Sequence, residues 1–258
     1  MLYSIGTKQE VKRYLRIFSS ASNPSQPAKF AVIKVGGGIL TGLDELALSL
    51  SFLYRVGLFP VVLLGGRPQL DVTMKQKGFV PDYIDGIRVT STCVVVVYMV
   101  YLYSITRLDS NVLKIARDVF LDQNLKLVAT LSKLGTRACS ITSGVFSADY
   151  LDREKYGLVG KITRVDKGPI EASIRAGAIP ILTTLAESDD SQILNIHADI
   201  AAGALAKELV PMKIVFLDEK GGLFHGITGE KLDVINLDEV IFFCICLVVP
   251  PDRLAGVR

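Results

Sequence analysis

The sequence predicts an α/β protein in which helices cover a mostly parallel β-sheet. Short apolar segments rich in β-branched residues alternate along the chain with segments whose apolar residues recur at helical spacing. This alternation is typical of parallel strands joined by helical crossovers. The 258 residues allow one large α/β domain or two small ones. Because a chain of this size buries roughly 70–75% of the surface that it exposes when unfolded, we expect an extensive core.

The first predicted element is an amphipathic helix near the N-terminus. Residues 7–20 place four apolar side chains on one stripe, with Lys and Arg on the other side. These four are Val11, Tyr14, Leu15 and Phe18. The helix could pack against its own domain or against a partner subunit. The stretch "SSASNPSQPAK" then predicts a linker from its Ser, Pro and Asn content, so residues 1–29 are expected to form an N-terminal helix and linker.

Eight further segments alternate between strand and helix character. In chain order they are "FAVIKV", "LDELALSLSFLYRVG", "FPVVLL", "LKIARDVFLDQN", "IEASIRAGA", "IPILTTL", "HADIAAGALAKEL" and "KIVFLD". Ligands of parallel sheets bind at the carboxyl ends of the strands. We therefore expect the chemistry in the loops that follow "FAVIKV", "FPVVLL" and "KIVFLD".

Two segments fit this pattern poorly. "STCVVVVYMVYLYSITRLDS", residues 91–110, is β-branched and aromatic, and its apolar run is too short to cross a bilayer as a helix. It could be an additional strand or hairpin, or foreign sequence. Residues 240–258 have the same character. The expected organisation is thus a main domain over residues 30–239, with an insert at 91–110 and an atypical tail at 240–258.

The composition favours small-molecule ligands over nucleic acid or membrane. The 29 basic and 26 acidic residues leave a net charge of +3 without a basic block, and the chain has no Trp. Its four cysteines lack metal-site spacing, and only His197 and His225 could assist them, so we expect no zinc site and a reducing compartment. The N-terminal residues lack the apolar core of a secretory signal. We expect any targeting segment to lie upstream of Met1.

The stretch "AVIKVGGGIL" combines Lys34, near the end of an apolar strand, with three glycines. Backbone amides after a strand can approach a phosphate closely where no Cβ intervenes and positive φ is accessible. Lys34 could then place its charge on the transferring oxygens. The spacing matches neither G-x-x-x-x-G-K-[ST] nor G-x-G-x-x-G. By itself, it is equally compatible with a glycine turn beside a lysine that extends to solvent.

Other segments make the pattern specific. "VVLLGGRPQLD" is a second strand that ends in glycines, "DYIDGIRVT" places an arginine in an extended segment, and "LNIHADIAAGALA" opens a helix with Asn and Asp. With these segments, and with longer ones such as "GPIEASIRAGAIPILTTLAE", the chain resembles the amino-acid kinase family. Within that family it looks most like the acetylglutamate kinases, in the form carried by fungal-type mitochondrial precursors together with N-acetyl-γ-glutamyl-phosphate reductase.

The resemblance implies a fold and a reaction. The fold is a three-layer αβα sandwich with a mostly parallel central sheet, truncated at the C-terminus, because the family continues past "INLDE" and has a second catalytic lysine there. The reaction is ATP-dependent phosphorylation of the γ-carboxylate of N-acetyl-L-glutamate in arginine biosynthesis. The resemblance further implies Mg²⁺ carried by ATP, L-arginine as a candidate inhibitor, a homo-oligomer formed through the N-terminal helix, and the mitochondrial matrix as location.

The family's site residues carry over to matching positions. Lys34 matches the lysine that stabilises the transferring phosphoryl group, and Asp199 matches the aspartate that orients the catalytic lysines; the alternative for Asp199 is an ordinary first-turn acid. The residues implied to bind the acyl substrate are Gly65, Gly66, Arg88 and Asn195. The residues implied to bind the nucleotide are Gly36, Gly37, Asp218, Gly221 and Gly222. No protein ligand to a metal is implied.

Two positions depart from the family pattern. Arg67 stands in the second glycine loop where the family has a glycine. If that position needs a positive φ, strain of about 1–3 kcal/mol would impair the site, and the side chain could also fill substrate space. Alternatively, the shifted glycine pair keeps the turn and Arg67 adds a positive charge near the phosphates. His197 replaces an asparagine of the Asn-x-Asn-Ala-Asp motif, and we expect it to act as a neutral hydrogen-bonding substitute.

A second function remains open from the sequence alone. Relatives of this fold serve as non-catalytic, arginine-sensing domains of acetylglutamate synthases. The changed loop and the missing C-terminal part favour such a regulatory domain, whereas Lys34, Arg88, Asn195 and Asp199 together favour the kinase. A dinucleotide-binding oxidoreductase is disfavoured because no G-x-G-x-x-G opens a helix.

Overall fold

A computed structural model describes residues 29–77, 110–219, 221–224 and 231–232. The described residues fall into two compact units. Residues 29–77 and 110–219 belong to the first unit, and residues 221–224 and 231–232 to the second. The predicted N-terminal helix, Arg88, the tail at 240–258 and the insert, except Ser110, lie outside the described residues.

The first unit contains nine strands and six α-helices among its described residues. The strands are β1 Lys29–Val35, β2 Phe59–Leu64, β3 Ala138–Ile141, β4 Phe146–Tyr150, β5 Gly160–Val165, β6 Ile179–Leu182, β7 Leu185–Glu187, β8 Ile193–Asn195 and β9 Lys213–Leu217. The helices are α1 Leu43–Arg55, α2 Arg67–Gln76, α3 Ser110–Lys133, α4 Arg153–Tyr156, α5 Gly168–Arg175 and α6 Ala198–Leu209. A short 3₁₀ helix, Gly37–Gly42, follows β1.

A five-stranded parallel sheet organises this unit. Its strand order is β3-β6-β2-β1-β9, and all of its neighbouring strands run parallel. Helices α1 and α3 pack on one face, and helices α5 and α6 on the other. The predicted α/β class with a mostly parallel central sheet is therefore confirmed.

The side-chain alternation of β1 determines where Lys34 lies. Ile33 and Val35 pack into the core shared with α1 and α3, whereas Val32 packs into the core shared with α5 and α6. Since successive side chains of a strand point to opposite faces, Lys34 projects on the same side as Val32. It therefore points toward the α6 side of the sheet at the carboxyl end of β1.

A second sheet was not predicted from the sequence. Its strand order is β5-β4-β7-β8, with β4 antiparallel to β5 and β7 antiparallel to β8. The predicted strand "IPILTTL" is in fact divided, because β6 ends at Leu182 and β7 begins at Leu185 in this second sheet. Helix α3 is longer than predicted, and α2 was not predicted.

The described part of the second unit is a small hairpin. Strand β10, Leu223–Phe224, pairs antiparallel with β11, Lys231–Leu232. None of the helices that the structure describes combines the length and hydropathy needed to cross a bilayer.

Candidate active site

Three neighbouring strands of the parallel sheet end at one level. Val35 of β1 is in register with Leu64 of β2 and with Leu217 of β9. The loops that follow are joined to this edge by backbone hydrogen bonds. The amide of Gly36 donates to Leu217 O at 2.8 Å, and that of Gly65 donates to Val35 O at 2.8 Å. These loops are the positions at which parallel sheets bind ligands.

Lys34 and Asp199 form an ion pair at this edge. The Lys34 Nζ atom lies 2.8 Å from Asp199 Oδ1. The Lys34 side chain is only 13% exposed, whereas that of Asp199 is 38% exposed. A largely buried ammonium requires a charged or hydrogen-bonding partner, and Asp199 provides it from the first turn of α6. An acid in the first turn also interacts favourably with the helix dipole.

His197 is the N-cap of α6. Its Nδ1 atom accepts a hydrogen bond from the Asp199 amide at 3.3 Å, and it lies 3.8 Å from Asp199 Oδ2. An Nδ1 atom that accepts this bond carries no proton. The geometry thus fits the neutral hydrogen-bonding role expected for His197.

The second glycine loop lies against Lys34. A Cβ atom on Gly65 would be 3.9 Å from Lys34 Cε and 3.5 Å from Ala198 Cβ. The Gly65 amide is occupied by Val35 O, so Gly65 contributes close approach and no free donor. A Cβ on Gly66 would be 2.7 Å from Cδ1 of the Phe120 ring. Gly66 is therefore required by the packing of α3 against the loop.

The first glycine loop is enclosed by its neighbours. A Cβ on Gly36 would be 2.9 Å from Leu217 O and 3.8 Å from Asp218 Oδ2. A Cβ on Gly37 would collide with Pro68 of α2, and one on Gly38 would collide with the Glu219 carboxylate. The structure thus brings Gly36 and Asp218 together, and side chains at Gly36 and Gly37 would collide with their neighbours.

Backbone conformation does not explain these glycines. Gly36 has φ −66° and Gly66 has φ −131°, and none of the glycines of either loop has a positive φ. Close packing is the reason instead. Arg67 begins α2 and is not among the described non-glycine residues with positive φ. The condition under which backbone strain at Arg67 would impair the loop is therefore not met.

Asn195 ends β8, four residues before Asp199. Its backbone N–H donates a hydrogen bond to Leu158 O at 3.0 Å. Its Oδ1 atom is buried and has no hydrogen-bond partner among the described residues. A buried polar group without a partner is costly, which makes this oxygen a candidate contact for a ligand.

The remaining predicted nucleotide residues lie in the second unit. Gly221 and Gly222 have φ values of 71° and 157°, a region that favours glycine. A Cβ on Gly222 would be 2.8 Å from Lys231 Cε. Among the residues that the structure describes, no group of three or more His, Cys, Asp or Glu side chains is placed to bind a metal ion.

The structure adds residues that the sequence reasoning missed. Gln69, Phe120 and Glu219 all contact a glycine of the two loops. The pair Pro68–Gln69 directly after the glycine loop was visible in the sequence, but its contact with Gly37 depends on the separation of β1 and β2.

Comparison with known proteins places these observations in a family. A sequence model of the amino acid kinase family matches residues 29–241. The chain is 50% identical to the mitochondrial protein ARG5,6 of Candida albicans over 240 residues, which cover 93% of this chain and 25% of the relative. It is 44% identical to the acetylglutamate kinase of Xanthomonas campestris over 234 residues, covering 90% and 50% of the two chains. The chain thus spans a quarter to a half of the length of these relatives.

Solved structures show the same fold. The smu.665 protein of Streptococcus mutans superimposes with a TM-score of 0.66 at 25% identity, covering 86% of this chain and 84% of its own. The N-acetylglutamate synthase of Neisseria gonorrhoeae, solved with coenzyme A and L-arginine, superimposes with a TM-score of 0.63 at 17% identity, covering 93% of this chain and 55% of its own. At this identity the second likeness concerns the fold alone.

Proposed function

The chain belongs to the amino acid kinase family, and from this premise we propose that it transfers the γ-phosphoryl group of ATP to the γ-carboxylate of N-acetyl-L-glutamate. The proposal makes it the acetylglutamate kinase part of arginine biosynthesis. It is supported by the relatives of known name, which include acetylglutamate kinases. The observation that carries it is the Lys34–Asp199 ion pair beside Gly65, at the level where β1, β2 and β9 end.

Lys34 is assigned to the transferring phosphoryl group. Phosphoryl transfer passes through a state with charge spread over the equatorial oxygens, and catalysis consists mainly of positioning and charge stabilisation. Because the Lys34 side chain is only 13% exposed, little water screens its charge. Its electrostatic interaction with nearby phosphate oxygens is therefore strong. Asp199 is assigned the role of holding Lys34 in place before the nucleotide binds. Its carboxylate fixes the direction of the lysine side chain.

The acceptor requires no general base. The γ-carboxylate of acetylglutamate is an anion at neutral pH, so it can attack the γ-phosphorus atom directly once it is held in line. The bond from this phosphorus to the β,γ-bridging oxygen breaks, and ADP leaves. Asn195, with its buried and unpartnered Oδ1, and Arg88 are assigned to holding this substrate. The guanidinium of Arg88 would bind a carboxylate in bidentate fashion.

The nucleotide side is assigned to the first glycine loop and the residues after β9. Gly36 and Gly37 leave this part of the loop without side chains, and Asp218 lies beside Gly36. For Gly221 and Gly222, in the second unit, nucleotide binding stays a prediction from the family resemblance. The nucleotide substrate is MgATP, whose Mg²⁺ we assign chiefly to phosphate oxygens and water, because that ion dehydrates reluctantly.

Two further properties belong to the same proposal. The fungal relatives are named mitochondrial, and we propose the mitochondrial matrix for this chain as well. L-Arginine is proposed as an inhibitor, and a homo-oligomer as the assembled form. The second candidate is a purely regulatory, arginine-binding role. It is supported by the similar fold of the N-acetylglutamate synthase that was solved with L-arginine.

Acyl-phosphate formation tests the function directly. The purified chain is incubated with MgATP and N-acetyl-L-glutamate, and the product is trapped by hydroxylamine as a hydroxamate. We expect a hydroxamate with N-acetyl-L-glutamate and much less with L-glutamate, whose free amine lacks the acetyl group. Calorimetry with L-arginine accompanies the assay. Arginine binding without any phosphoryl transfer would favour the regulatory domain and contradict the kinase.

A further inference from the structure

Gln69 joins the two glycine loops. It is the third residue of α2, which begins directly after Gly66. Its Nε2 atom donates a hydrogen bond to the carbonyl oxygen of Gly37 in the first loop. Its Oε1 atom is buried, without a partner among the described residues, and lies 2.6 Å from the position that a Cβ of Gly37 would occupy. The Gln69 carboxamide thus packs against Gly37, in the space that a side chain at that position would occupy.

The backbone of Gln69 lies in the first turn of α2, directly after the second loop. The amide of Leu70 donates to Gly66 O at 2.9 Å, and Thr73 Oγ1 donates to Gln69 O at 2.9 Å. Pro68, at the start of the helix, restricts the backbone further. Because the backbone of Gln69 follows the second loop and its side chain holds the first, any shift between the loops has to break the bond to Gly37.

We propose that Gln69 is a positioning residue that holds the two glycine loops at the separation required for phosphoryl transfer. The proposal rests on the kinase function given above. Gln69 touches no reacting atom in it and acts through Gly37. Fixed geometry is the main contribution of a protein to this reaction. A misplacement of about 1 Å far from the chemistry can cost about 10²-fold in rate.

Three variants separate positioning from ordinary packing. Gln69→Leu keeps a side chain of similar size and removes both polar atoms. Gln69→Glu keeps the Oε1 acceptor, replaces the donor to Gly37 O with a second acceptor oxygen and adds a negative charge. Gln76→Leu is the matched control, because Gln76 is the exposed last residue of the same helix. If Gln69→Leu does not yield soluble protein, Gln69→Asn replaces it, since its shorter carboxamide cannot reach Gly37 O.

Kinetics give the first readout. For Gln69→Leu and Gln69→Glu we expect kcat to fall by about 10- to 10²-fold. We expect the KM for N-acetyl-L-glutamate to stay within about threefold, because Gln69 does not hold that substrate. Gln76→Leu should match the unaltered protein. Equal kcat values in Gln69→Leu and the unaltered protein would overturn the proposal. So would an equal loss in Gln69→Leu and Gln76→Leu.

Amide hydrogen exchange gives a readout that does not need activity. Without ligands, the amides of residues 36–38 should exchange faster in Gln69→Leu than in the unaltered protein, while those of β6 stay unchanged. If the unaltered protein transfers no phosphoryl group, the proposed function fails, and this exchange still decides the role of Gln69. Unchanged exchange at residues 36–38 would show that Gln69 does not hold the loop.

Discussion

At the scale of single residues, the site depends on one buried cation and its partner. Lys34 sits in a strand whose other residues from Ala31 to Val35 are buried and apolar, and an ammonium there is stable only if it is paired. The pairing with Asp199 follows from the resemblance to the family and not from local spacing, because the two residues lie 165 positions apart in the sequence. Gln69 could not be assigned a role in advance, since its contact with Gly37 arises only in the folded state.

Replacing Asp199 with Asn tests the pairing. The amide is nearly the same size, but it no longer carries the charge that orients Lys34. We expect kcat to fall by about 10² to 10³-fold, the range observed when one preorganised group that stabilises charge is removed. Rate measurements at saturating MgATP and N-acetyl-L-glutamate give the value.

Asp122→Asn is the matched control. Asp122 pairs with Lys126 on the surface of α3, with both side chains more than half exposed, and such pairs contribute little. We expect its kcat to equal that of the unaltered protein. An Asp199→Asn variant with full activity would rule out the orienting role.

At the scale of elements, four of the five strands of the parallel sheet were predictable, whereas β3 and the second sheet were not. Strands β1, β2, β6 and β9 are apolar runs, the pattern typical of strands in a parallel sheet. The edge strand β9 nevertheless leaves Ile214 and Phe216 exposed. Strands β4 and β5 mix apolar residues with Ser, Asp, Lys and Arg, and β7 and β8 have three residues each. Strands this short and polar carry little local signal, so tertiary pairing defines them.

Helix α3 is anchored at the carboxyl edge of the sheet by two contacts. The Phe120 ring covers Gly66, and one turn later the buried Asn124 donates through Nδ2 to Ile181 O of β6 at 3.0 Å. The sequence predicted the helix from its apolar spacing. Neither anchor could be predicted, because each depends on a partner in a distant segment.

Gly66→Ala tests the first of these anchors. The added methyl group would meet the Phe120 ring at 2.7 Å, so we expect a loss of about 1–3 kcal/mol in the free energy of unfolding. In a Phe120→Leu background the same change should cost less, because a smaller side chain leaves room for the methyl group. Urea unfolding of the unaltered protein, the two single variants and the double variant gives the coupling free energy between residues 66 and 120. Equal costs of Gly66→Ala in both backgrounds would contradict the contact.

At the scale of the whole molecule, sheet class and family could be predicted, whereas the division into two units was not. The expected domain limits, 30–239 with an insert and a tail, remain a prediction. Among the described residues, the structure places 221–224 and 231–232 in a second unit. Such units are defined by the density of contacts in the folded chain, which the sequence pattern does not indicate. The predicted homo-oligomer likewise awaits measurement.

Ligand binding should stabilise the folded chain. A ligand that binds only the native state adds about 2.7 kcal/mol at 100 times its Kd. We expect MgATP and N-acetyl-L-glutamate each to raise the Tm in thermal unfolding, and Lys34→Met to reduce the MgATP effect. A rise with L-arginine and none with MgATP would point to the regulatory function instead.

The central claim is that the Lys34 ammonium stabilises the transferring phosphoryl group. It is tested most directly by the rate of hydroxamate formation from MgATP and N-acetyl-L-glutamate in Lys34→Met, with Lys126→Met as control. We predict a fall of at least about 10²-fold for Lys34→Met and no change for Lys126→Met. A Lys34→Met protein that transfers the phosphoryl group at the rate of the unaltered chain would contradict the account.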